Sequence, residues 1–532
     1  MTRIRILKNK AKITVNAELH SQFIENLGTN IYNGIWVGED SEIPNYHGIR
    51  KDIVDALARI SPPVLRWPGG CYADHYHWRH GVGDRSERPV DYNEVFGSNT
   101  LDYNQFGTHE FITLCHLVGS KPWININMLT GSPAEMVEWA EYCNRKELTT
   151  LTKEREANGS SEPFDVEYWG IGNESWAGGG TYTAAEYVAE YRKYSTAFPT
   201  FSNLLSPPSE HYPLKFIAVG PDGNKEKERV LWTKEFFSSI SRFRQPKIDG
   251  YDLHFYNWNI SDPTDNIVDF NEKQWFKVLS GALEIEDVVI EQYHLIKEGI
   301  NNITETEGPF QYKINCDLII GEWGNWHSFS CDDGRVLWQQ CTMRDAITTA
   351  LTLDIFHRHS DKVKIACVAQ TVNVLNSLFL TDGERTILTP NYHVFDMYKV
   401  HRGADLLVCQ VETEMLSREN NKTVNAIYGF ASIKENTINL NIINTDMFKQ
   451  HTVLIEFDEP VAFVDAKILK GESARSHNTF EAPHRVMPAA FDAIRMVSDG
   501  IWEMSVAPSS ITVVSFSVCP QSNRRDDMVK NA

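Results

Sequence analysis

Between about residue 20 and residue 397, short apolar runs alternate with stretches that repeat apolar residues at helical spacing. This alternation is typical of a parallel sheet whose strands are joined by crossover helices. The runs predict eight strands, at Phe23–Ile31, Val64–Trp67, Trp123–Met128, Val166–Gly172, Phe216–Gly220, Tyr251–Tyr256, Leu318–Trp323 and Ile365–Gln370.

The stretches between these runs predict amphipathic helices. Eight strands that alternate with helices indicate an α/β fold, a (β/α)8 TIM barrel over residues 19–397. The connections 73–107 and 257–285 are too long for simple turns, so we expect them to form the walls of a cleft. The predicted helices are Arg50–Ile60, Thr108–Val118, Ala134–Asn144, Ala184–Ser195, Lys225–Ile240, Asp287–Lys297 and Trp338–His357.

After about residue 398 the apolar period changes to two, which predicts a C-terminal all-β sandwich, jelly-roll-like, over residues 398–519. Residues 3–16 alternate in the same way, so we expect residues 1–18 to add a strand to that sandwich. The polar tail 520–532 is predicted to be disordered. The predicted sandwich strands are Thr423–Tyr428, Thr437–Asn444, His451–Phe457, Ala462–Leu469 and Ile511–Val518.

Composition narrows the class of protein. Hydrophobic residues make up 42% and charged residues 23%, as in soluble globular proteins. A net charge of −20 without a long basic cluster argues against nucleic acid as a partner. The sequence contains no run of 18 apolar residues, so no membrane span is predicted. The nine Cys are irregularly spaced and form no CxxC pair, which argues against a disulfide framework and against a structural zinc site. The basic N-terminus lacks a following apolar stretch, so we expect a cytoplasmic location.

Two predicted strands end in a glutamate. The run Tyr168–Gly172 is followed by Asn173 and Glu174, and the run that begins at Leu318 reaches Glu322. These are the fourth and seventh predicted strands, and the carboxyl ends of barrel strands form the catalytic face. The sequence therefore predicts that the two acids meet at one mouth of the barrel.

Paired carboxyl groups are what glycosidic bond cleavage requires, because one protonates the leaving oxygen and the other attacks the anomeric carbon. With Glu322 as nucleophile and Glu174 as acid/base, retention needs the groups about 5–5.5 Å apart, against about 6.5–9.5 Å for inversion. Negative charge at Glu322 and apolar walls are expected to raise the pKa of Glu174. The alternative is that either glutamate is an ordinary solvated or ion-paired strand end.

The histidine-rich residues 74–80 raise the alternative of a metal site. Residues 74–80 hold Asp74 with three histidines, and alternation would place His75 and His77 on one face. No matching ligand group occurs at recognisable spacing, so a hydrogen-bonded loop is favoured, and neither a metal nor a cofactor is expected.

Several blocks, in order through the whole barrel, resemble glycoside hydrolase family 51, the α-L-arabinofuranosidases. They are Glu25-Asn26-Leu27-Gly28, Arg66-Trp67-Pro68-Gly69-Gly70-Cys71, Tyr76-His77-Trp78-Arg79, Asn104-Gln105-Phe106-Gly107, Gly172-Asn173-Glu174, Gly321-Glu322-Trp323 and Ala369-Gln370-Thr371-Val372-Asn373. Gly-Asn-Glu alone would indicate only the broader clan of retaining barrel glycosidases.

The resemblance implies a role for each matching residue. Glu174 is the acid/base and Glu322 the nucleophile. Asn173 is implied to bond the sugar 2-hydroxyl, and Tyr256 to orient Glu322, with His254 on the same strand face. Glu25 and Gln370 are implied to hold arabinofuranose hydroxyls, and Trp326 to form an aromatic wall, although each could be an ordinary satisfied or core residue.

Two more residues lie in the matching blocks. Arg66 is expected to support the strand-end carboxylates as a charge-assisted donor, with a purely structural ion pair as the alternative. Cys71 is placed beside the pocket, with a small, buried, apolar role favoured over reactivity.

The implied activity is retaining, exo-acting release of terminal arabinofuranose from an arabinose-containing oligosaccharide, by a homo-oligomer such as a hexamer. Two alternatives stay open. One is a related barrel hydrolase, an endo-β-glucanase or β-xylosidase, because the acid pair does not encode the sugar. The other is a non-catalytic carbohydrate-binding protein, against which the presence of both acids argues.

Overall fold

The computed structural model describes residues 2–8, 12–197, 214–241, 247–304, 314–328, 335–419 and 422–519. Eight parallel strands form a closed barrel, in which the last strand pairs with the first. The predicted fold class, an α/β barrel with a C-terminal all-β domain, is confirmed. The barrel strands are Ser21–Phe23, Val64–Trp67, Lys121–Ile126, Tyr168–Ile171, Lys215–Asp222, Gly250–Asn259, Asp317–His327 and Val363–Val368.

Most barrel strands are almost continuously buried, because side chains on one face fill the barrel and those on the other meet the surrounding helices. The helices are amphipathic: in the first, Ile53, Val54, Leu57 and Ile60 are buried. The helices are Lys51–Ile60, Thr108–Val118, Pro133–Asn144, Thr150–Ala157, Ala184–Ala197, Glu226–Ile240, Glu272–Leu283, Ile285–Thr304, Met343–Arg358 and Pro390–Tyr398.

The first strand corrects the prediction at Phe23–Ile31, because it ends at Phe23. The chain then turns, with the Leu27 amide bonded to the Glu25 carbonyl oxygen and Gly28 at φ +53°. A Cβ at Gly28 would lie 2.6 Å from the Val336 carbonyl oxygen. The apolar residues beyond Phe23 are buried in loop packing, which a run of hydrophobic letters cannot distinguish from a strand.

Two helix predictions also change. The helix predicted at Trp338–His357 begins at Met343, where Thr342 caps it and bonds reciprocally with Asp345. The connection 257–285 is not simply a loop, because the sixth barrel strand continues to Asn259 and a helix begins at Glu272. The predicted helix Asp287–Lys297 lies inside the longer helix Ile285–Thr304.

The all-β domain consists of two sheets around a shared apolar core. Thr2–Leu7 lies inside the five-stranded sheet, antiparallel to Val408–Glu412 and parallel to His451–Phe457, and that sheet ends with Ile501–Val506 and Ile494–Ser498. The six-stranded sheet has the order Asp405–Leu406, Ile427–Lys434, Thr437–Asn444, Ser510–Val518, Val461–Leu469 and Pro488–Ala490.

The run predicted at Thr423–Tyr428 is divided between Lys422–Asn425 and Ile427–Lys434. The domain limits stay predictions, and the tail 520–532 lies outside the described residues. In the part of the chain that is described, no helix combines the length and the apolar character needed to cross a membrane. Small two-stranded sheets are Asn45–Tyr46 with Ile49–Arg50, Asp91–Asn93 with Thr100–Asp102, Phe379–Asp382 with Arg385–Leu388, and Met415–Glu419 with Lys422–Asn425.

A buried polar cluster joins the barrel to the sandwich at the end of the barrel where the first strand begins. The Nε2 atoms of His20 and His357 are 2.8 Å apart, and His401 Nε2 lies 2.8 Å from Asn441 Oδ1 in the sandwich. Asn441 in turn donates to Asp354 Oδ1 at 2.8 Å. Burial lowers the pKa of His357 and of His401 to about 3, and raises the pKa of Asp354 to about 7.

This cluster predicts a loss of stability in acid. The unfolded chain protonates its histidines near pH 6.5, whereas folded His357 stays neutral down to about pH 3. The stability that this neutral ring contributes is therefore present above about pH 6.5 and is lost as the pH falls toward 3, at about 1.4 kcal/mol per pH unit. Folded Asp354 takes up a proton below about pH 7, which raises the unfolding free energy as the pH falls. Three histidines with lowered pKa values, His357, His401 and His20, act in the other direction, so the net effect of acid is a loss of stability.

We expect His357→Gln to reduce the slope of the unfolding free energy against pH between pH 6 and pH 4.5. The reduction should correspond to about one proton, or about 1.4 kcal/mol per pH unit, as measured by urea unfolding. The matched control is His294→Gln, because His294 is exposed on the helix Ile285–Thr304. An equal slope in His357→Gln and the unaltered protein would contradict the prediction, whatever the change in absolute stability.

Candidate active site

Glu322 lies on the seventh barrel strand with its carboxylate buried inside the barrel mouth. Arg66 Nη1, from the second strand, donates to Glu322 Oε1 at 2.8 Å. The Tyr256 hydroxyl, from the sixth strand, donates to Oε2 at 2.6 Å. Both oxygens therefore have strong donors, and the carboxylate has little rotational freedom.

Glu174 lies just beyond the fourth strand in a left-handed backbone conformation, at φ +39°. Its Oε1 atom is 2.9 Å from His254 Nδ1, and its Oε2 atom is 4.0 Å from Cys71 Sγ. The side chain is 18% exposed, whereas that of Glu322 is 7% exposed. Glu174 therefore lies on the solvent side of the pair, where a leaving group would depart.

The two acids are close together at one barrel mouth, as predicted, although Glu322 lies within its strand, which continues to His327, and not at the strand end. One carboxyl oxygen of each and a ring nitrogen of His254 all lie within 4.8 Å of one another. Carboxyl oxygens this close are compatible with the separation of about 5–5.5 Å between carboxyl groups that direct attack on an anomeric carbon requires.

Electrostatics distinguish the two carboxyl groups. Burial alone would raise the pKa of Glu322, but the charges of His254 and Arg66 and the bond from Tyr256 hold that pKa below its usual value. Burial raises the pKa of Glu174, the charge of Glu322 adds to this, and His254 opposes it. The pair therefore favours one ionised and one protonated carboxyl group, which is the state that acid-assisted attack requires.

His254 stands between the acids and a third carboxylate. Its Nδ1 atom is 2.9 Å from Glu174, and its Nε2 atom is 3.3 Å from Asp252 Oδ2. Burial opposes the charged ring, but Glu322 and Asp252 outweigh burial and raise the pKa of His254 to about 10. The ring is therefore an imidazolium at neutral pH.

Glu25 and Gln370 are hydrogen-bonded to each other inside the mouth of the barrel. Gln370 Nε2 donates to Glu25 Oε2 at 2.7 Å, the Tyr72 amide donates to Oε1 at 2.9 Å, and Asn30 Nδ2 donates to Gln370 Oε1 at 2.8 Å. Burial and the charge of Glu322 raise the pKa of Glu25 to about 8. These side chains offer fixed donors and acceptors for sugar hydroxyls.

Arg66 is completely buried and joins several parts of the site. Besides Glu322 it donates from Nη2 to Asn173 Oδ1 at 2.7 Å, and its guanidinium carbon lies 4.5 Å from the centre of the Phe23 ring. Asn173 Nδ2 is 3.9 Å from Cys71 Sγ. Burial raises the pKa of the Cys71 thiol well above its usual value, which fits the unreactive role expected for Cys71.

Trp326 belongs to an aromatic cluster next to these groups. Its ring centre is 5.1 Å from that of Tyr256, 5.1 Å from that of Trp258 and 6.2 Å from that of Phe96. Phe96 lies on the hairpin within the connection 73–107, so part of this connection does reach the wall that contains Trp326.

The histidines of residues 74–80 do not converge on a metal. His77 Nδ1 is 3.1 Å from Glu135, His80 Nδ1 is 2.8 Å from Asp91, and His75 is exposed. Over the ranges that the structure describes, the residues with ligand-like spacing are instead the two acids and His254.

Sequence reasoning missed Asp252, which is buried and contacts His254. A signal was present, because Asp252, His254 and Tyr256 alternate along one strand and alternate residues share a face. Gly321 was named only as part of the block Gly321-Glu322-Trp323, without a role of its own, and its amide donates to Asp252 Oδ1.

Comparisons with known proteins identify the family of the chain. An intracellular exo-α-L-arabinofuranosidase of Bacteroides ovatus is 33% identical over 521 residues, which cover 96% of this chain and 95% of the relative. The chain belongs to glycoside hydrolase family 51. Residues 56–274 match the α-L-arabinofuranosidase 1 domain, and residues 321–510 match the α-L-arabinofuranosidase C-terminal domain.

Solved structures of arabinofuranosidases superpose over nearly the whole chain. The GH51 arabinofuranosidase of Xanthomonas axonopodis pv. citri has a TM-score of 0.87 at 32% identity, covering 97% of this chain and 99% of that one. The α-L-arabinofuranosidase of Thermotoga maritima, solved as an arabinose complex, has a TM-score of 0.80 at 26% identity, covering 97% and 100%. Barrel and sandwich therefore occur together in these relatives, as they do in this family 51 protein.

The Tyr256 contact gives a test of the electrostatics. Tyr256→Phe removes a hydrogen bond to charged Glu322, which is worth about 1.5–3 kcal/mol. We expect kcat/KM to fall roughly 10- to 100-fold, and its acidic limb to move to higher pH because the pKa of Glu322 rises. The measurement is the pH profile of kcat/KM on an aryl glycoside.

Tyr251→Phe is the matched control, because Tyr251 lies on the same strand but donates to Thr233 Oγ1 at 3.1 Å. It should leave the acidic limb in place. An unmoved limb in Tyr256→Phe would show that the hydroxyl does not set the ionisation of Glu322.

Proposed function

We propose that the protein is a retaining, exo-acting α-L-arabinofuranosidase that releases terminal arabinofuranose from arabinose-containing oligosaccharides or hemicellulose fragments. The observation that carries the proposal is the pair Glu174 and Glu322 at one barrel mouth, where one carboxyl oxygen of each lies within 4.8 Å of the other and their pKa values are displaced in opposite directions. The relatives named above, whose printed names describe arabinofuranosidases, support the choice of sugar.

In the first step, ionised Glu322 attacks the anomeric carbon while Glu174 transfers its proton to the glycosidic oxygen. The C–O bond to the leaving group breaks, and a covalent glycosyl-enzyme forms. Arg66 and Tyr256 orient Glu322 for this attack, and they hold it in its charged form until the carbon–oxygen bond begins to form.

In the second step, Glu174, now ionised, removes a proton from water, and that water attacks the anomeric carbon from the side that the leaving group vacated. Glu322 is released as a carboxylate, so two inversions give net retention. The 18% exposure of the Glu174 side chain supports this double role, because water can reach it once the leaving group has departed.

The remaining pocket residues would bind the sugar. Asn173, held by Arg66, would bond the 2-hydroxyl, a contact that strengthens as the transition state forms. Glu25 and Gln370 would bind further hydroxyls, and Trp326 would cover an apolar face of the ring. Cytoplasmic location and homo-oligomeric assembly stay predictions, the former supported by the word intracellular in the name of the Bacteroides ovatus relative.

The activity is tested by comparing hydrolysis of an aryl α-L-arabinofuranoside, an aryl β-xyloside and cellulose by the purified protein. We expect the arabinofuranoside to be turned over with a kcat/KM at least about 100-fold above that of the xyloside, and cellulose to be resistant. Preference for the xyloside or cellulose would replace the proposal with a related barrel hydrolase. No turnover by a folded sample would favour a carbohydrate-binding protein.

The roles of the two acids predict different rescue patterns. Glu322→Ala should abolish turnover, and azide should then yield an arabinofuranosyl azide of inverted configuration. Glu174→Ala should spare the first step on activated aryl substrates, and azide should release a product of retained configuration, as shown by proton NMR.

Glu286→Ala is the control, because Glu286 is a half-buried carboxylate bonded to His359 at 2.9 Å outside the pocket. It should keep full activity without azide. Rescue patterns exchanged between the two variants would reverse the assignment of Glu174 and Glu322.

A further inference from the structure

A β-bulge precedes the nucleophile on the seventh strand. Ile320 pairs with Leu253 and Glu322 pairs with His254, so Gly321 is the extra residue. A bulge redirects the side chains that follow it, and bulges are frequent next to active sites. Here the residue that follows is Glu322.

The carboxylate of Asp252 closes this bulge. The Gly321 amide, which the bulge leaves outside the regular ladder, donates to Asp252 Oδ1 at 2.6 Å. A Cβ at Gly321 would lie 2.2 Å from the same oxygen, so only glycine leaves room for the contact. Asp252 is 7% exposed, so water cannot easily replace it.

The other oxygen of Asp252 faces the two cations of the site. Oδ2 lies 3.3 Å from His254 Nε2 and 3.9 Å from Arg66 Nη2. His254 contacts Glu174, and Arg66 contacts Glu322. The carboxylate of Asp252 therefore contacts the backbone next to the nucleophile. It also contacts His254, which is bonded to the acid/base Glu174, and lies near Arg66, which is bonded to the nucleophile Glu322.

We infer that Asp252 is a positioning residue for both glutamates, which directs Glu322 through the Gly321 bulge and holds His254 aligned against Glu174. This role rests on the proposed function. Asp252 bonds to neither glutamate directly, so its role differs from those of Arg66, Tyr256 and His254, which contact the glutamates themselves. Asp252 acts through Gly321, His254 and Arg66.

The direction of its electrostatic effect follows from the groups around His254. Glu174, Glu322, Asp252 and Asp222 are the carboxyl groups that act on the ring, and Arg66 is the neighbouring cation. Without the charge of Asp252, the imidazolium loses a partner and releases its proton more readily. The ring nevertheless keeps its proton over the acidic range in which Glu322 titrates, because Glu174 and Glu322 still face it. Since His254 and Arg66 stay charged while one carboxylate charge is lost, the pKa values of Glu174 and Glu322 fall.

The test is the pH profile of kcat/KM for Asp252→Asn on the aryl arabinofuranoside. The amide keeps an acceptor for the Gly321 amide hydrogen but carries no charge. We expect both limbs to move to lower pH by about one unit, because a charge within about 4–6 Å shifts a pKa by that order and the charge that is lost has the same sign as the two glutamates. We expect kcat to fall roughly 10- to 100-fold and KM to change less than about threefold.

Asp249→Asn is the matched control. Asp249 immediately precedes the same strand, accepts the Phe216 amide at 2.9 Å and lies at the opposite end of the barrel. It loses the same charge and should leave both limbs in place. Limbs that stay in place in Asp252→Asn, or that move equally in Asp249→Asn, would overturn the inference.

The positions of the limbs do not depend on the folded fraction where circular dichroism shows that fraction to be constant across the profile, and Asp252→Ser provides a second uncharged variant. Failure of both to fold, when Asp249→Asn folds, would also overturn the inference, because Asp252 would then be needed for the fold itself. Failure of the proposed function looks different, since the unaltered protein would then not hydrolyse the arabinofuranoside.

Discussion

Two cations are buried among carboxyl groups at the mouth of the barrel, and the rest of the site depends on this arrangement. Arg66 is fully buried and His254 nearly so, and Glu322 and Asp252 lie within reach of both. An unpaired charge at such a depth would be costly, so each group requires its partners in place. Opposite charges thus hold rigid a set of acids that would otherwise repel one another.

The barrel makes this arrangement possible because it brings separate strands to one rim. Arg66 comes from the second strand, His254 and Tyr256 from the sixth, and Glu322 from the seventh, with Glu174 following the fourth. Each residue is fixed by its own strand, and helices cover the outside. The bulge at Gly321 then shifts the pairing between the seventh and sixth strands by one residue at Glu322.

The same cluster gives two chemically identical side chains different tasks. Glu322 receives donors on both oxygens and is stabilised as an anion. Glu174 receives one bond from His254, is buried beside the charge of Glu322, and therefore retains its proton more readily. The difference in environment assigns the roles of nucleophile and acid/base, as in other glycosidases with two carboxyl groups.

Local sequence was enough to place Glu174 just beyond one strand and Glu322 on another, because strands, helices and the catalytic face follow from periodicity and chain order. It also contained Asp252 in alternation with His254 and Tyr256. Tertiary structure decided where the first strand ends and how far apart the two acids lie. It also decided that the pKa of Glu322 is lowered and that of Glu174 is raised. Each depends on contacts between residues far apart in the chain, such as Gly28 with Val336 and Arg66 with Glu322, which no local pattern encodes.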